Sequence, residues 1–336
     1  MILENYVKYH GIGSHCTTTM LRTLTNAAGF PFSEAYCLGL GSGIGFTYQK
    51  YVGVDYYFFT GRNECIEDNL VNVLGGKILK GTDDDSLAAW KSACELIDQG
   101  IPVILEVDMM KLSYIREKLN LKKQFHFGLH TVLLIGYEEE SAYILDYMWR
   151  NPIKVTVREL QEARNSKDAP VRPNNAWKAL FVKNNDFVDL PYVTTQAIRI
   201  NVHKYKEPYA FKMGLEGLLV FKREFERWLE RMDAEKRKDY FYMMSVLFEK
   251  VGTGGGNFRR MYGQFLDEAG RIIPNKDFTE VSAAYTRCFH AWRKFSRHLE
   301  QLSERDDIGN EKCRLQEELE NICEYETQAL ALLAQI

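Results

Sequence analysis

The stretch Gly11-Ile-Gly-Ser-His-Cys16-Thr-Thr-Thr-Met20-Leu-Arg-Thr-Leu24-Thr-Asn-Ala-Ala28-Gly29 governs the reading of the chain. Met20, Leu21 and Leu24 form an apolar stripe at helical spacing. Ser14 is a residue type that caps helix N-termini, and Gly29 one that terminates helices. The pattern predicts a helix over residues 15–28 with a cysteine in its first turn. Partial positive charge at a helix N-terminus favours a thiolate, and the free N–H groups there can hold a developing oxyanion. A free cysteine is also commonly a small buried hydrophobe. Cys16 therefore needs partners before it reads as a nucleophile.

Those partners lie far along the chain. Residues 130–137 read as a charge-free strand, 138–141 as a turn and 142–147 as a second strand, together a β-hairpin. His130 opens the first strand and Asp146 lies near the end of the second. A nucleophilic thiol needs a base, and the base needs an orienting acceptor. Register decides whether this hairpin supplies both. If Tyr137 pairs with Ser141, Asp146 falls opposite Val132, on the face that carries His130. If Tyr137 pairs with Ala142, the two side chains share a face only when a bulge intervenes.

The chain has 336 residues, enough for two domains with sizeable cores. Aromatics make up 13% and the net charge is −3, which disfavours a disordered chain and a globally basic nucleic-acid or membrane-surface protein. Seven cysteines, at 16, 37, 65, 94, 288, 313 and 323, include no Cys-x-x-Cys pair and fit reduced cytoplasmic thiols. Apart from Cys16 they read as buried structural residues. Residues 1–10 lack the apolar core of a signal peptide, and no apolar run is long enough to span a bilayer.

Charge is unevenly spread. Residues 1–60 hold six charged side chains, where roughly sixteen would be expected from the average content. This charge-poor segment carries glycines at 39, 41, 43 and 45 and reads as buried. Helical patterns predominate beyond residue 190, over 215–232, 238–251, 258–269, 278–302 and 311–333. The expected organisation is α+β, with one domain over residues 1–190 and an all-helical domain over 191–336.

Two further groups of residues carry a resemblance. Gly13-Ser-His-Cys16-Thr-Thr-Thr, Phe32-Ser-Glu34-Ala and Gly39-Leu-Gly-Ser-Gly43-Ile-Gly-Phe46 resemble the N-terminal domain of butirosin biosynthesis protein H. Gly252-Thr-Gly254-Gly255-Gly256-Asn-Phe-Arg259-Arg-Met-Tyr262 resembles the domain that follows it. The order Cys, His, Asp is also similar to that of papain-like cysteine enzymes. The resemblance implies a papain-like catalytic domain followed by a helical one. It also implies an acyltransferase of natural-product assembly, which takes an acyl group from a carrier-protein phosphopantetheine thioester and passes it to an amine. Cys16 would be the nucleophile, His130 the base and Asp146 its orienter, with no metal and no cofactor beyond the carrier's arm. A peptidase, amidase or thioester hydrolase with the same three residues is the alternative. A non-catalytic carrier-binding module is a further one.

His10 stands six residues before Cys16, where papain-like enzymes place an oxyanion-hole side chain, here with His for Gln. His15, beside the nucleophile, reads as pointing elsewhere. Gly43, Gly254 and Gly255 read as turns or as close approaches to a ligand arm. Arg259 reads as a solvated helix charge, with phosphate binding as the sharper reading. His126 and His130 lack the helical setting of a zinc pair. The mixed-charge run over residues 222–239 reads as a solvated helix face in preference to a carrier-protein docking patch.

Overall fold

The computed structural model describes residues 2–50, 57–119, 126–184, 188–250, 253–274 and 276–336. Val251, expected to end a helix, and Gly252 of the glycine-rich motif lie outside the described residues. The described residues are mixed α/β, 56% helical and 15% strand, with a helical C-terminal region. In chain order the strands are β1 (Ile44–Lys50), β2 (Tyr57–Arg62), β3 (Lys77–Gly81), β4 (Val103–Val107), β5 (His130–Tyr137), β6 (Ser141–Leu145), β7 (Ile153–Thr156) and β8 (Trp177–Phe181).

Two compact units divide the chain. The first takes residues 2–34 and 74–184 and is built on an antiparallel sheet of order β3-β8-β4-β5-β6-β7. Its central strand β5 is buried along nearly its whole length, and the Cys16–Ala27 and Ser86–Asp98 helices both pack on it. That explains the unbroken apolar run in place of an alternating one: a strand covered on both faces has no solvent side to pattern.

The hairpin takes the second of the two registers open from the sequence. Tyr137 pairs with Ala142, and a bulge between Leu134 and Gly136 shifts the ladder, so that Leu133 pairs with Leu145. The extra residue restores parity, and Asp146 comes opposite Val132 on the face of His130.

The second unit takes residues 35–50, 57–73 and 188–336. The expected division at residue 190 differs from this over residues 35–50 and 57–73, where the β1–β2 hairpin and the short helices Glu34–Leu40 and Ile66–Val73 beside it belong with the C-terminal helices. The reason lies in its side chains. Phe46, Tyr48 and Phe59 are 1%, 0% and 2% exposed in one core with Phe221, Phe248 and Trp292. An aromatic hairpin that short cannot bury itself.

Beneath that core sits a buried ion pair. Arg259 Nε donates to Glu326 Oε1 at 2.5 Å and Nη2 to Oε2 at 3.2 Å. Tyr205 Oη and Trp292 Nε1 also donate to this carboxylate, at 2.9 and 2.7 Å. Burial works against the Arg259 charge, but Glu326 and Tyr205 outweigh it and hold the guanidinium above its ordinary pKa. The glycine motif serves this pair. Residues 254–258 all have positive φ, which Gly254, Gly255 and Gly256 adopt freely. A Cβ on Gly256 would lie 2.5 Å from the Phe289 ring. The left-handed turn ends at Arg259, the first residue of the Arg259–Ile272 helix.

Removing one partner of such a pair strands a buried charge, at a cost of about 3–5 kcal/mol. Glu326→Ala is expected to destabilise the full chain by that amount in urea unfolding. A loss below about 1 kcal/mol would show that the pair is dispensable.

Candidate active site

The Cys16–Ala27 helix places its first residue against β5, and the cap beneath that residue differs from expectation. His15, not Ser14, is the N-cap. The helix begins one residue later than a Ser14 cap requires, and a carboxylate from elsewhere holds the turn before it. Glu34 Oε2 accepts the Ser14 N–H at 2.9 Å, and Oε1 accepts the His15 N–H at 3.3 Å. Glu34 Oε1 also accepts the hydroxyls of Thr18 and Thr19, at 3.0 and 2.7 Å. Gly13 makes room for this: a Cβ there would lie 1.9 Å from Thr19 Oγ1 and 2.8 Å from Glu34 Oε2. The Gly13 N–H donates to Tyr147 O at 2.7 Å, tying the turn before Cys16 to the residue after Asp146.

Cys16, His130 and Asp146 are 5%, 3% and 0% exposed. His130 Nε2 lies 2.9 Å from Asp146 Oδ2, and the His130 ring is one of two imidazoles that act on the Cys16 thiol. With Nε2 committed to the carboxylate, Nδ1 is the nitrogen left for sulfur. Tyr114 Oη donates to the same Asp146 Oδ2 at 2.8 Å, while Oδ1 has no partner among the described residues. Tyr114 and Glu34 were both missed as site residues by sequence reasoning. Glu34 stood in a quoted motif, but as the first-turn acid of the next helix. Nothing local to Tyr114 signals a contact across 32 residues.

The electrostatics make one unit of these groups. Burial alone would push the Cys16 thiol up, but the His15 and His130 imidazoles reverse that and hold it well below the ordinary thiol range. Burial alone would lower His130. The Asp146 carboxylate and the Cys16 sulfur override it and raise the imidazole to about 10. Both shifts favour a thiolate beside an imidazolium.

Other expected site residues fare differently. His15 does not point elsewhere: it is 3% exposed and lowers the pKa of the Cys16 thiol. His10 is not an oxyanion donor, because its Nε2 is held by the carbonyls of Asp146 and Trp149 at 3.2 and 3.0 Å. Gly43 packs in the helical unit, where a Cβ would lie 2.4 Å from Leu38 Cδ1, so close packing explains it. Gly254 and Gly255 lie in the left-handed turn of the same unit. Arg259 is neither a solvated charge nor a phosphate holder: it is fully buried, and Nη1 donates to Asn257 O and Gly61 O at 2.6 and 3.0 Å. His126 and His130 face separate carboxylates, with His126 Nδ1 2.6 Å from Asp108 Oδ2. Among the described residues no group of three or more His, Cys, Asp or Glu is arranged to hold a metal ion. Cys65 and Cys313 are exposed, against the expectation that both would be buried. No helix among the described residues is long and apolar enough to cross a membrane.

The fold and this site describe a mixed α/β protein with a buried, ionised cysteine on a sheet-and-helix frame. Residues 15–147 match the family model of butirosin biosynthesis protein H, N-terminal, and residues 158–333, just over half of the chain, match domain of unknown function DUF4872. The chain belongs to the butirosin biosynthesis protein H-like family. Among curated proteins none matches it. The second matched segment begins inside the sheet unit and contains β8, which pairs with β3 and β4, so the two segments share one sheet.

Iodoacetamide alkylation of Cys16, followed by peptide-resolved mass spectrometry, is expected to show an acid limb well below pH 8.5. Removing the imidazole in His130→Ala should move that limb up by at least a unit. An acid limb near 8.5 in the unaltered chain would rule out the ion pair.

Proposed function

We propose that this chain is an acyltransferase that forms an amide. It would move an acyl group from a carrier-protein phosphopantetheine thioester, through acyl-Cys16, to an amine acceptor in antibiotic or related natural-product biosynthesis. The observation that carries this reading is the buried Cys16–His130–Asp146 chain at a helix N-terminus. Its order along the sequence, with thiol on the helix and imidazole and carboxylate on adjacent strands, also supports a papain-like fold for the sheet unit. The printed description of the matched family supports the biosynthetic setting. Seven free cysteines fit a reducing compartment such as the cytoplasm.

The chemistry follows from the ionisation. Cys16 thiolate attacks the thioester carbonyl carbon, and the C=O pair moves onto oxygen. Collapse expels the donor's thiolate, which takes the His130 imidazolium proton and leaves acyl-Cys16. His130, now neutral, accepts a proton from the incoming amine as its nitrogen attacks the acyl carbon, and Cys16 thiolate departs. Thioester and amine thus become amide and thiol. A site in which Cys16 is 5% exposed admits little water, which favours aminolysis over hydrolysis.

Intact-mass analysis with an acyl-loaded carrier protein tests this. The unaltered chain should gain the acyl mass, and Cys16→Ala should not. Adding candidate amines should discharge the adduct as amide. His130→Ala should slow acylation by about 10²–10⁴-fold, the usual loss for a general base. Release of free acid alone, or peptide cleavage without a thioester, would assign the site to hydrolysis instead.

A further inference from the structure

Two imidazoles flank the Cys16 sulfur, and the steps above use one. His15 sits at the N-cap in extended conformation, with φ −147° and ψ 136°. Its Nδ1 accepts the Thr18 backbone N–H at 3.4 Å. A backbone amide can only donate, so Nδ1 carries no proton and the ring's hydrogen sits on Nε2. The Thr18 hydroxyl, 3.2 Å from the same Nδ1, has Glu34 Oε1 as an acceptor at 3.0 Å. The cap therefore fixes the tautomer, and Nε2 is a donor.

The backbone around it is also arranged for an anion. Thr19 N–H is taken by His15 O at 3.0 Å and Thr18 N–H by the imidazole. The N–H groups of Cys16 and Thr17 find no acceptor among the described residues. His10, at the position six residues before the nucleophile, has no donor to spare because two carbonyls hold its Nε2.

We infer that His15 Nε2–H, with the backbone N–H of Cys16, receives the oxyanion that forms when Cys16 attacks the donor's carbonyl. The inference rests on the acyl-transfer reading and adds a catalytic residue to it. His130 moves protons, whereas His15 keeps its own: the hydrogen bond it gives the resting thiolate passes to the carbonyl oxygen as negative charge moves from sulfur to oxygen. When the intermediate collapses the bond returns to sulfur. No proton leaves His15 in either half of the reaction, so charge and atoms balance through His130 alone.

The test uses the full chain, a butyryl-N-acetylcysteamine thioester as donor, and two readouts. Acylation of Cys16 by the thioester needs an oxyanion donor. Alkylation by iodoacetamide, taken at its high-pH plateau, does not. His15→Asn keeps a capping side chain but is too short to reach the carbonyl oxygen. It should lose about 10²–10³-fold in acylation, the usual loss of one oxyanion donor, with the alkylation plateau within about threefold. His15→Gln, which restores reach and an N–H, should recover acylation at least tenfold over Asn. Acylation by His15→Asn within about threefold of the unaltered chain, a parallel loss of both readouts, or no recovery in Gln would each overturn the role. An unaltered chain that alkylates at Cys16 but never acylates would overturn the acyl-transfer reading itself, and this inference with it.

Discussion

A carboxylate removed from water must be matched by donors, and Asp146 is matched on one oxygen by His130 and Tyr114. Much of the candidate site depends on that constraint. Because Asp146 takes Nε2 of His130, the ring can turn only Nδ1 to the sulfur. Because the carboxylate is charged, the imidazole holds its proton to about pH 10 although burial opposes it. The His15 and His130 imidazoles together offset burial, so a thiol that is 5% exposed is held well below the ordinary thiol range. The dependence also runs through the backbone. Tyr147, next to Asp146, accepts the N–H of Gly13, and His10 donates to Asp146 O, so the turn before Cys16 and the carboxylate are positioned by the same few bonds.

How much of this was legible in the sequence differs by residue. The helix behind Cys16 was legible because its stripe and its glycine stop are local signals, and Gly29 takes φ +94° at the stop. The hairpin was legible as two strands, but its register was not. A bulge at one position changes which residues share a face without changing composition, and Gly136 beside it is only a weak local mark. Glu34 was visible as a first-turn acid. Its reach back to Ser14, His15, Thr18 and Thr19 is a tertiary fact that spans 15 to 20 residues. The boundary near residue 190 marks the change to helical patterning, yet the hairpin of β1 and β2 packs by aromatic burial, which sequence position does not encode.

The helical unit shows the same limit in another form. Its glycine run looked like a place for a ligand, and its arginine like a solvated charge or a phosphate holder. The turn is left-handed, and it delivers Arg259 into a carboxylate that Tyr205 and Trp292 also bind. Conserving volume would not replace this arrangement, because each polar atom in it answers another. Glycine motifs and buried cations are ambiguous in sequence for one reason: both can serve a ligand or a fold, and the partner that decides is distant along the chain.

Three histidines near Cys16 make the point most sharply, since composition cannot separate them. His10 gives its Nε2 hydrogen to two carbonyls and has nothing left for chemistry. His130 gives Nε2 to a carboxylate, gains basicity from it, and can carry a proton between sulfur and substrate. His15 accepts a backbone N–H on Nδ1, which leaves it a fixed donor on Nε2. In each case the bond made by the nitrogen away from the reacting atoms sets what the ring can do. On the proposed acyl-transfer reading, a carbonyl partner removes a histidine from the reaction, a carboxylate makes it a base, and an amide makes it a donor. That rule assigns one role to each ring within a space where proximity alone would have assigned the same role to His15 and His130.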